Sequence, residues 1–410
     1  MGSLSNGDLG VSMAYTNQFK PFNGGYSWWV YPNVYNEVVD SETITYFSYV
    51  NSLKQTLIAS FNHSTKYQTQ FVLQTDTVAD EHNCSAICVM PDGKILTSYT
   101  KHNTEAKIYV RKSKRAHDAS DFETAIELTC SNVATYAQLL YLNSKYWLFY
   151  RVNDSSWAFR TSTDGATWGN ETILVTSATG QYYLRIVPYN NTYIRIISIG
   201  HPINNTDHVL RYVRIDTTTG SIDTLGSTHL GNIDGTSLPI ASTSFQAVYT
   251  PTEGKITRLF DINFYPTSAP NTSIAFAVFS SISDCEYYVT TGSVGSWTTT
   301  KVCDGGAPLE VPAGDNYYFG GAWFQPNNDK ILYVARESSG IWYLEKYTTT
   351  DYNSWTLSQT IKSSGMKIHR PCQPFNAPVD NATFLMWEEG FYSSFSNYES
   401  VVKSRDWWYL

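Results

Sequence analysis

Between Asp80 and Pro202 the chain repeats one pattern three times: an apolar run, a polar turn and a second apolar run. A titratable or aromatic polar residue stands where each first run begins and where each second run ends. The first repeat begins at Asp80-Glu81-His82-Asn83, turns at Pro91-Asp92-Gly93-Lys94 and ends at Lys101-His102-Asn103. The second begins near Thr135-Tyr136, turns at Asn143-Ser144-Lys145 and ends at Phe149-Tyr150-Arg151. The third runs from Tyr182-Tyr183-Leu184-Arg185 through Asn190-Asn191-Thr192 and Arg195 to Gly200-His201-Pro202. Short apolar runs either side of such turns predict antiparallel hairpins. Pairing sets the start of the first strand beside the end of the second. His82/His102, Tyr136/Arg151 and Tyr183/His201 are therefore expected at one end of three consecutive hairpins, as a candidate site.

The same pattern recurs along the chain. A copy precedes the three, from Tyr26 to Leu73, with Trp28-Trp29-Val30-Tyr31 as one of its apolar runs. Others follow around Arg258–Phe279, Phe319–Ala335 and Ile368–Glu388. Marker turns at Asp92, Ser144, Asn191, Asn328 and Asn381 recur at roughly fifty residues, the size of a four-stranded propeller blade. The one long gap holds Leu225 to Tyr249, read as an insertion. Ser162-Thr163-Asp164-Gly165-Ala166-Thr167-Trp168 has the form of a shortened Asp-box, with weaker echoes at Thr291–Trp297 and Thr349–Trp355. Such turns speak to architecture and not to activity. The expected fold is all-β, a single-domain seven-bladed β-propeller over residues 25–410, after a polar lead-in over residues 1–24.

Composition agrees. Of 410 residues 15% are aromatic, 31 of them Tyr, and only 16% are charged, which suits pleated surfaces better than solvated helices. A formal net charge of -8 argues against a nucleic-acid partner, which would require a basic stripe, yet leaves room for a locally positive cleft. No apolar run reaches membrane-spanning length, so no membrane partner is expected, and Met1 to Asp8 does not read as a secretory signal. Six cysteines (Cys84, Cys88, Cys130, Cys285, Cys303 and Cys372) show no C-x-x-C spacing and read first as small buried hydrophobes.

The converging set holds two His, several Tyr and the arginines Arg151, Arg195 and Arg185, without a matching pair of acids. Glycosidases need two carboxylates flanking the scissile bond. Asp80 and Glu81 are adjacent, so on a strand they point to opposite faces. β-Elimination on a uronic acid fits better. Arg or a protonated His neutralises the carboxylate, Tyr or a neutral His removes the C5 proton, and a Tyr returns a proton to the leaving oxygen. That chemistry needs no cofactor.

His82-Asn83 before Pro91-Asp92-Gly93-Lys94, His102-Asn103 after it, Tyr136, Phe149-Tyr150-Arg151, Tyr183-Leu184-Arg185 and Gly200-His201-Pro202 together resemble the core of the seven-bladed propeller polysaccharide lyases that degrade ulvan, families 24 and 25. The detailed likeness spans Asp80 to Pro202; Glu81, where Asp is expected, and Cys84 depart from it. The resemblance implies a lyase acting on an anionic, uronate-containing polysaccharide. His82, His102, Tyr136, Arg151 and Tyr183 then fall on catalytic positions, and Asn83, Asn103, Arg185 and Arg195 on substrate-binding ones. Either His82 or Tyr183 is the base, and either Tyr183 or Tyr136 the proton donor. The resemblance also implies a structural zinc, for which His201, Cys285, Cys303 and Cys372 are the candidate ligands; mixed His/Cys ligation suits that metal. A monomer is expected, extracellular or on a virion. The rivals are a sialidase-like glycoside hydrolase, which requires an arginine triad and a Tyr/Glu nucleophile pair, and a non-catalytic glycan-binding propeller.

Overall fold

The computed structural model describes residues 22–264, 272–281, 283–293, 296–309, 317–376 and 384–406. Residues 1–21 of the expected lead-in, Val294-Gly295 and the marker turn at Asp380-Asn381 lie outside the described residues. Apart from two three-residue turns of 3-10 helix, Glu81–Asn83 and Ser242–Ser244, the described regular structure is all strand. The protein is all-β.

The described strands form six sheets, and within most of them neighbours in the sheet are neighbours in sequence. The repeats read from the sequence head three of these sheets. Ala86–Val89 pairs with Ile95–Tyr99, Ala134–Leu142 with Lys145–Val152, and Gly180–Tyr189 with Tyr193–Asn205, all antiparallel. Ile256–Phe264 and Gly321–Gln325 each head a four-stranded sheet. The remaining sheet has eight strands. In it, Phe22–Gly25 pairs on one side with Asn397–Asp406 and on the other with Glu42–Asn51, joining two groups of strands far apart in sequence. The expected insertion supplies short edge pieces: Ile240–Ala241 runs parallel to Thr172–Thr176, and Gln246–Tyr249 pairs with Leu210–Asp216.

Burial grades across each sheet. Lys145–Val152 is buried at every position after Lys145, and Ile44 to Val50 are all buried in Glu42–Asn51, because both faces of these strands are covered by neighbouring sheets. Last strands such as Ile126–Thr129 and Thr356–Ser364 bury no residue. The leading strands touch one another in chain order: Val34–Val39 meets Ala86–Val89, and contacts continue through the strands headed by Ala134, Gly180, Ile256, Gly321 and Lys367. The series returns to its start where Phe375 pairs with Tyr35 and exchanges backbone hydrogen bonds with Val34 and Asn36.

The first copy departs from expectation. Trp28-Trp29-Val30-Tyr31 is a turn threaded among the leading strands rather than a strand. Tyr31 exchanges backbone hydrogen bonds with Ala137 and Leu139, the Pro32 carbonyl accepts from Ile87, Arg185 donates to the Trp28 carbonyl, and Arg370 donates to the Tyr26 carbonyl. Trp28 packs edge-on against Phe260, and Tyr31 lies 6.3 Å from Trp323. One short segment thus fills the space between six sheets. Its polar backbone is satisfied from the surrounding strands, as burial requires.

Candidate active site

The two histidines of the first repeat sit in turns rather than on strands. Asp80 caps the 3-10 turn Glu81–Asn83, its Oδ1 accepting from the His82 backbone N–H at 2.9 Å. His102 lies in the turn after Ile95–Tyr99, where its backbone N–H donates to Asn83 Oδ1 at 2.6 Å. The imidazoles come within 4.4 Å, centroid to centroid. Asp80 lies between them. Its Oδ2 is 2.8 Å from His102 Nδ1 in an aligned hydrogen bond, while His82 Nδ1 is 3.0 Å from Oδ1 but misaligned, so that second contact is electrostatic. A carboxylate only accepts, so the His102 Nδ1 facing it carries a proton and Nε2 is turned away from Asp80.

Tyr136 completes this corner, 5.2 Å from His82 and 5.6 Å from His102. A bulge between Thr135 and Gln138 places Tyr136 at φ 58°, a conformation that a bulky residue adopts only when its surroundings hold it there. The Arg151 guanidinium lies over the Tyr136 ring at 4.7 Å and 5.5 Å from that of Tyr183. Tyr183 in turn lies 5.7 Å from His201 and stacks on Trp29 at 4.3 Å. The six polar residues expected at one end of three hairpins do meet. Phe395 adds a wall, 4.7 Å from His82.

The electrostatics differ across the cluster. Burial pushes the Asp80 carboxyl up, but His82 and His102 outweigh it and hold the group well below the usual carboxylate range. Burial, and then His102, push the His82 imidazole down to about 4 against the opposing pull of Asp80, so His82 is neutral at neutral pH. Burial, followed by Arg258 and Arg151, pushes His201 down to about 3. Burial and then Tyr183 raise Tyr136 well above the ordinary phenol value, so it holds its proton. Arg151 is fully buried; Asn103 Oδ1 accepts from it at 3.4 Å and Asp154, largely exposed, stands 3.6 Å away. Among the described residues its Nε and Nη1 hydrogens have no partner, an arrangement suited to an incoming anion.

The expected binding residues divide. Asn103 is exposed at the rim and touches Arg151. Asn83 is buried and holds the loop, bonding His102 N and Asp76 Oδ2. Arg185 and Arg195 do not join the site. Arg185 lies two residues further along its strand than Tyr183, beneath the Trp28–Tyr31 segment, where it bonds the Trp28 carbonyl at 2.8 Å and faces Asp261 at 3.6 Å. Arg195 belongs to the turn end of its hairpin, donating to Thr272 Oγ1 at 2.9 Å and stacking on Tyr189.

The expected zinc ligands are not gathered either. His201 Nδ1 accepts the backbone N–H groups of Ile203 and Asn204 at 3.1 and 3.0 Å, and Cys372 Sγ lies 3.3 Å from Tyr26 Oη. Cys285 is packed into an apolar cluster, with Cys303 on the neighbouring strand. Among the described residues only Asp80, His82 and His102 bring three ligand-type atoms within 4.8 Å of one another, and there the carboxylate is already shared by the two imidazoles.

Two participants were not read from the sequence as site residues. Asp80 was set aside for want of a second acid. Arg258 lies near the start of Ile256–Phe264, the first strand of a later sheet, as Tyr136 and Tyr183 lie near the starts of theirs, and it is buried against Tyr318, Trp28 and Trp29. The Glu81 that departs from the family pattern is locked in a buried cluster: Arg370 pairs with both its oxygens and with Glu388, and Tyr392 donates to it.

The model of the BNR repeat-containing family matches residues 44–305. The chain belongs to the BNR repeat-containing family. No curated protein matches it. Among solved structures, an ulvan lyase of polysaccharide lyase family 25, bound to -[GlcA(1-4)Rha3S]-, superposes with a TM-score of 0.73 over 94% of this chain and 95% of its own, at 14% identity. A second structure of a family 25 ulvan lyase gives 0.73 over 94% of each chain at 15% identity. This BNR repeat chain is therefore similar to those lyases in fold.

Proposed function

We propose that this protein is a polysaccharide lyase that cleaves a uronate-containing anionic polysaccharide, ulvan foremost, by β-elimination. The observation that carries the reading is the cluster itself: three imidazoles, two phenols and a buried guanidinium whose Nε and Nη1 are unpaired, with no free carboxylate pair among the described residues. Asp80 is spent on the histidines and Glu81 on Arg370, which leaves a glycosidase without its acid and nucleophile.

In this reading Arg151 and His102 hold the uronate carboxylate and withdraw charge from C5. His82, kept neutral by burial, is suited to take the C5 proton; Tyr183 is the other candidate base. As the C4–O bond breaks and the C4=C5 double bond forms, the leaving oxygen takes a proton from Tyr136, which burial keeps protonated, or from Tyr183. The ligand of the similar lyase, a glucuronate linked to a sulfated rhamnose, supplies the polymer to try first. A seven-bladed, single-domain propeller fits this use. In support, the eight-stranded sheet is two groups of strands joined through Phe22–Gly25, and successive leading strands contact one another in chain order. A polymer substrate suits a protein outside the cell or on a virion.

Incubation with ulvan tests the reading. A lyase produces unsaturated uronyl ends that absorb in the near ultraviolet. Reducing ends without that absorbance would replace it with hydrolysis, and binding without either product with a lectin.

A further inference from the structure

Arg258 has no role in the elimination just described, yet its setting is unusual. It is 3% exposed, with its guanidinium 4.7 Å from the Tyr318 ring and 5.8 and 6.0 Å from Trp28 and Trp29. Its Nε–H has no hydrogen-bond partner, and among the described residues no carboxylate pairs with it. Of the other deeply buried arginines off the proposed site, two face carboxylates, Arg185 meeting Asp261 and Arg370 holding Glu81 and Glu388, while Arg195 donates to Thr272 Oγ1 and lies over the Tyr189 ring. A buried cation without a counter-charge is destabilising by several kcal/mol unless something else meets it. Aromatic faces offset part of that.

Its position says what would meet it. Trp29 stacks on Tyr183, and the Arg151 guanidinium lies 5.5 Å from the same ring, so both arginines neighbour one aromatic pair. Both also act electrostatically on His201. Cationic groups thus stand at two separate points around Trp29 and Tyr183.

We propose that Arg258, framed by Trp29 and Tyr318, receives a second oxyanion of the polymer, carried by the sugar next to the one whose carboxylate Arg151 holds. This rests on the lyase reading for its substrate. The chemistry shared by the two sources is a tetrahedral or planar oxyanion, a sulfate ester or a second carboxylate. A charge-assisted hydrogen-bonded contact of this kind contributes about 1.5–3 kcal/mol, or roughly tenfold to 150-fold in affinity.

The test compares wild type with Arg258→Met and Arg258→Lys. In the first arm, which needs no catalysis, thermal midpoints are measured in sodium sulfate and in sodium chloride at equal ionic strength. Wild type should gain more from sulfate than Arg258→Met does, since the general salting effect of sulfate is common to both and cancels in the comparison. Without sulfate, Arg258→Met should hold or raise the midpoint, because it removes an uncompensated buried charge. In the second arm, lyase kinetics are run on native and desulfated ulvan. Arg258→Met should raise KM roughly tenfold to 150-fold on the sulfated polymer, with most of the loss in KM rather than kcat, and Arg258→Lys should recover part of it. A KM penalty confined to sulfated polymer identifies the sulfate ester as the ligand; an equal penalty on both identifies the carboxylate. An equal sulfate increment in wild type and Arg258→Met overturns the proposal, as does a fall of several degrees in the midpoint of Arg258→Met, which would make the residue structural. If wild type shows no lyase activity on any polymer, the functional reading fails, and the first arm still decides the anion site.

Discussion

Asp80→Asn is the substitution whose effect follows most directly from the geometry. The carboxylate accepts from the His82 backbone at 2.9 Å and from His102 Nδ1 at 2.8 Å, and stands 3.0 Å from His82 Nδ1. Asparagine keeps one acceptor, enough to cap the turn, and replaces the other with an NH2 donor. If that donor faces His102, Nδ1 must give up its proton to accept from it, or the bond is lost. Either way one charge-assisted bond disappears, about 1.5–3 kcal/mol, so kcat should fall roughly tenfold to 150-fold. Asp80 also raises His82, which burial holds at about 4. Removing the charge lowers His82 further, so the rate should drop across neutral pH without an acid limb moving into that range. Initial rates of unsaturated-end formation across pH, with circular dichroism to check folding, read both effects. A folded Asp80→Asn enzyme within twofold of wild type at every pH would refute the idea that this carboxylate orients the histidine pair.

Further outcomes follow from the same coordinates. Tyr136→Phe and Tyr183→Phe each remove a hydroxyl while keeping the stacked ring, so a proton donor or base among them should show itself as a loss of about 10²–10⁴ in kcat with the thermal midpoint little changed; an unaffected kcat in both would exclude tyrosine from the proton transfers. His82, at about 4 when folded against 6.5 as a free side chain, makes the unfolded chain the better proton acceptor between those values, so its share of stability is full above pH 6.5 and is lost as pH falls toward 4, up to about 3 kcal/mol. Urea midpoints across that range should slope less for His82→Gln than for wild type. Arg370→Met leaves the buried Glu81 and Glu388 without their cation, which should be destabilising by about 3–5 kcal/mol. Adding Glu81→Gln should restore part of the lost urea midpoint, and a single variant within 1 kcal/mol of wild type would contradict the pairing.

Much of this molecule is decided by short-range rules that a sequence displays openly. Turn residues such as Pro91-Asp92-Gly93 and Asn190-Asn191 set hairpins, hairpins set which ends meet, and those ends carry His82, His102, Tyr136, Arg151, Tyr183 and His201 into one cluster. What alternation along a strand cannot reveal is depth and partner. Tyr183 and Arg185 share a strand and a parity, but two residues of rise carry Arg185 below the Trp28–Tyr31 segment and out of the site. That segment looks like a strand by composition and becomes a filler because six sheets leave a space only folding creates. Asp80 acquires its role from two imidazoles that come together only in the fold, Arg258 from aromatic rings contributed by distant stretches, and the cysteines lose theirs because neighbouring sheets, not sequence distance, determine which thiols can converge. Local chemistry chose the groups; long-range packing chose which of them face a substrate.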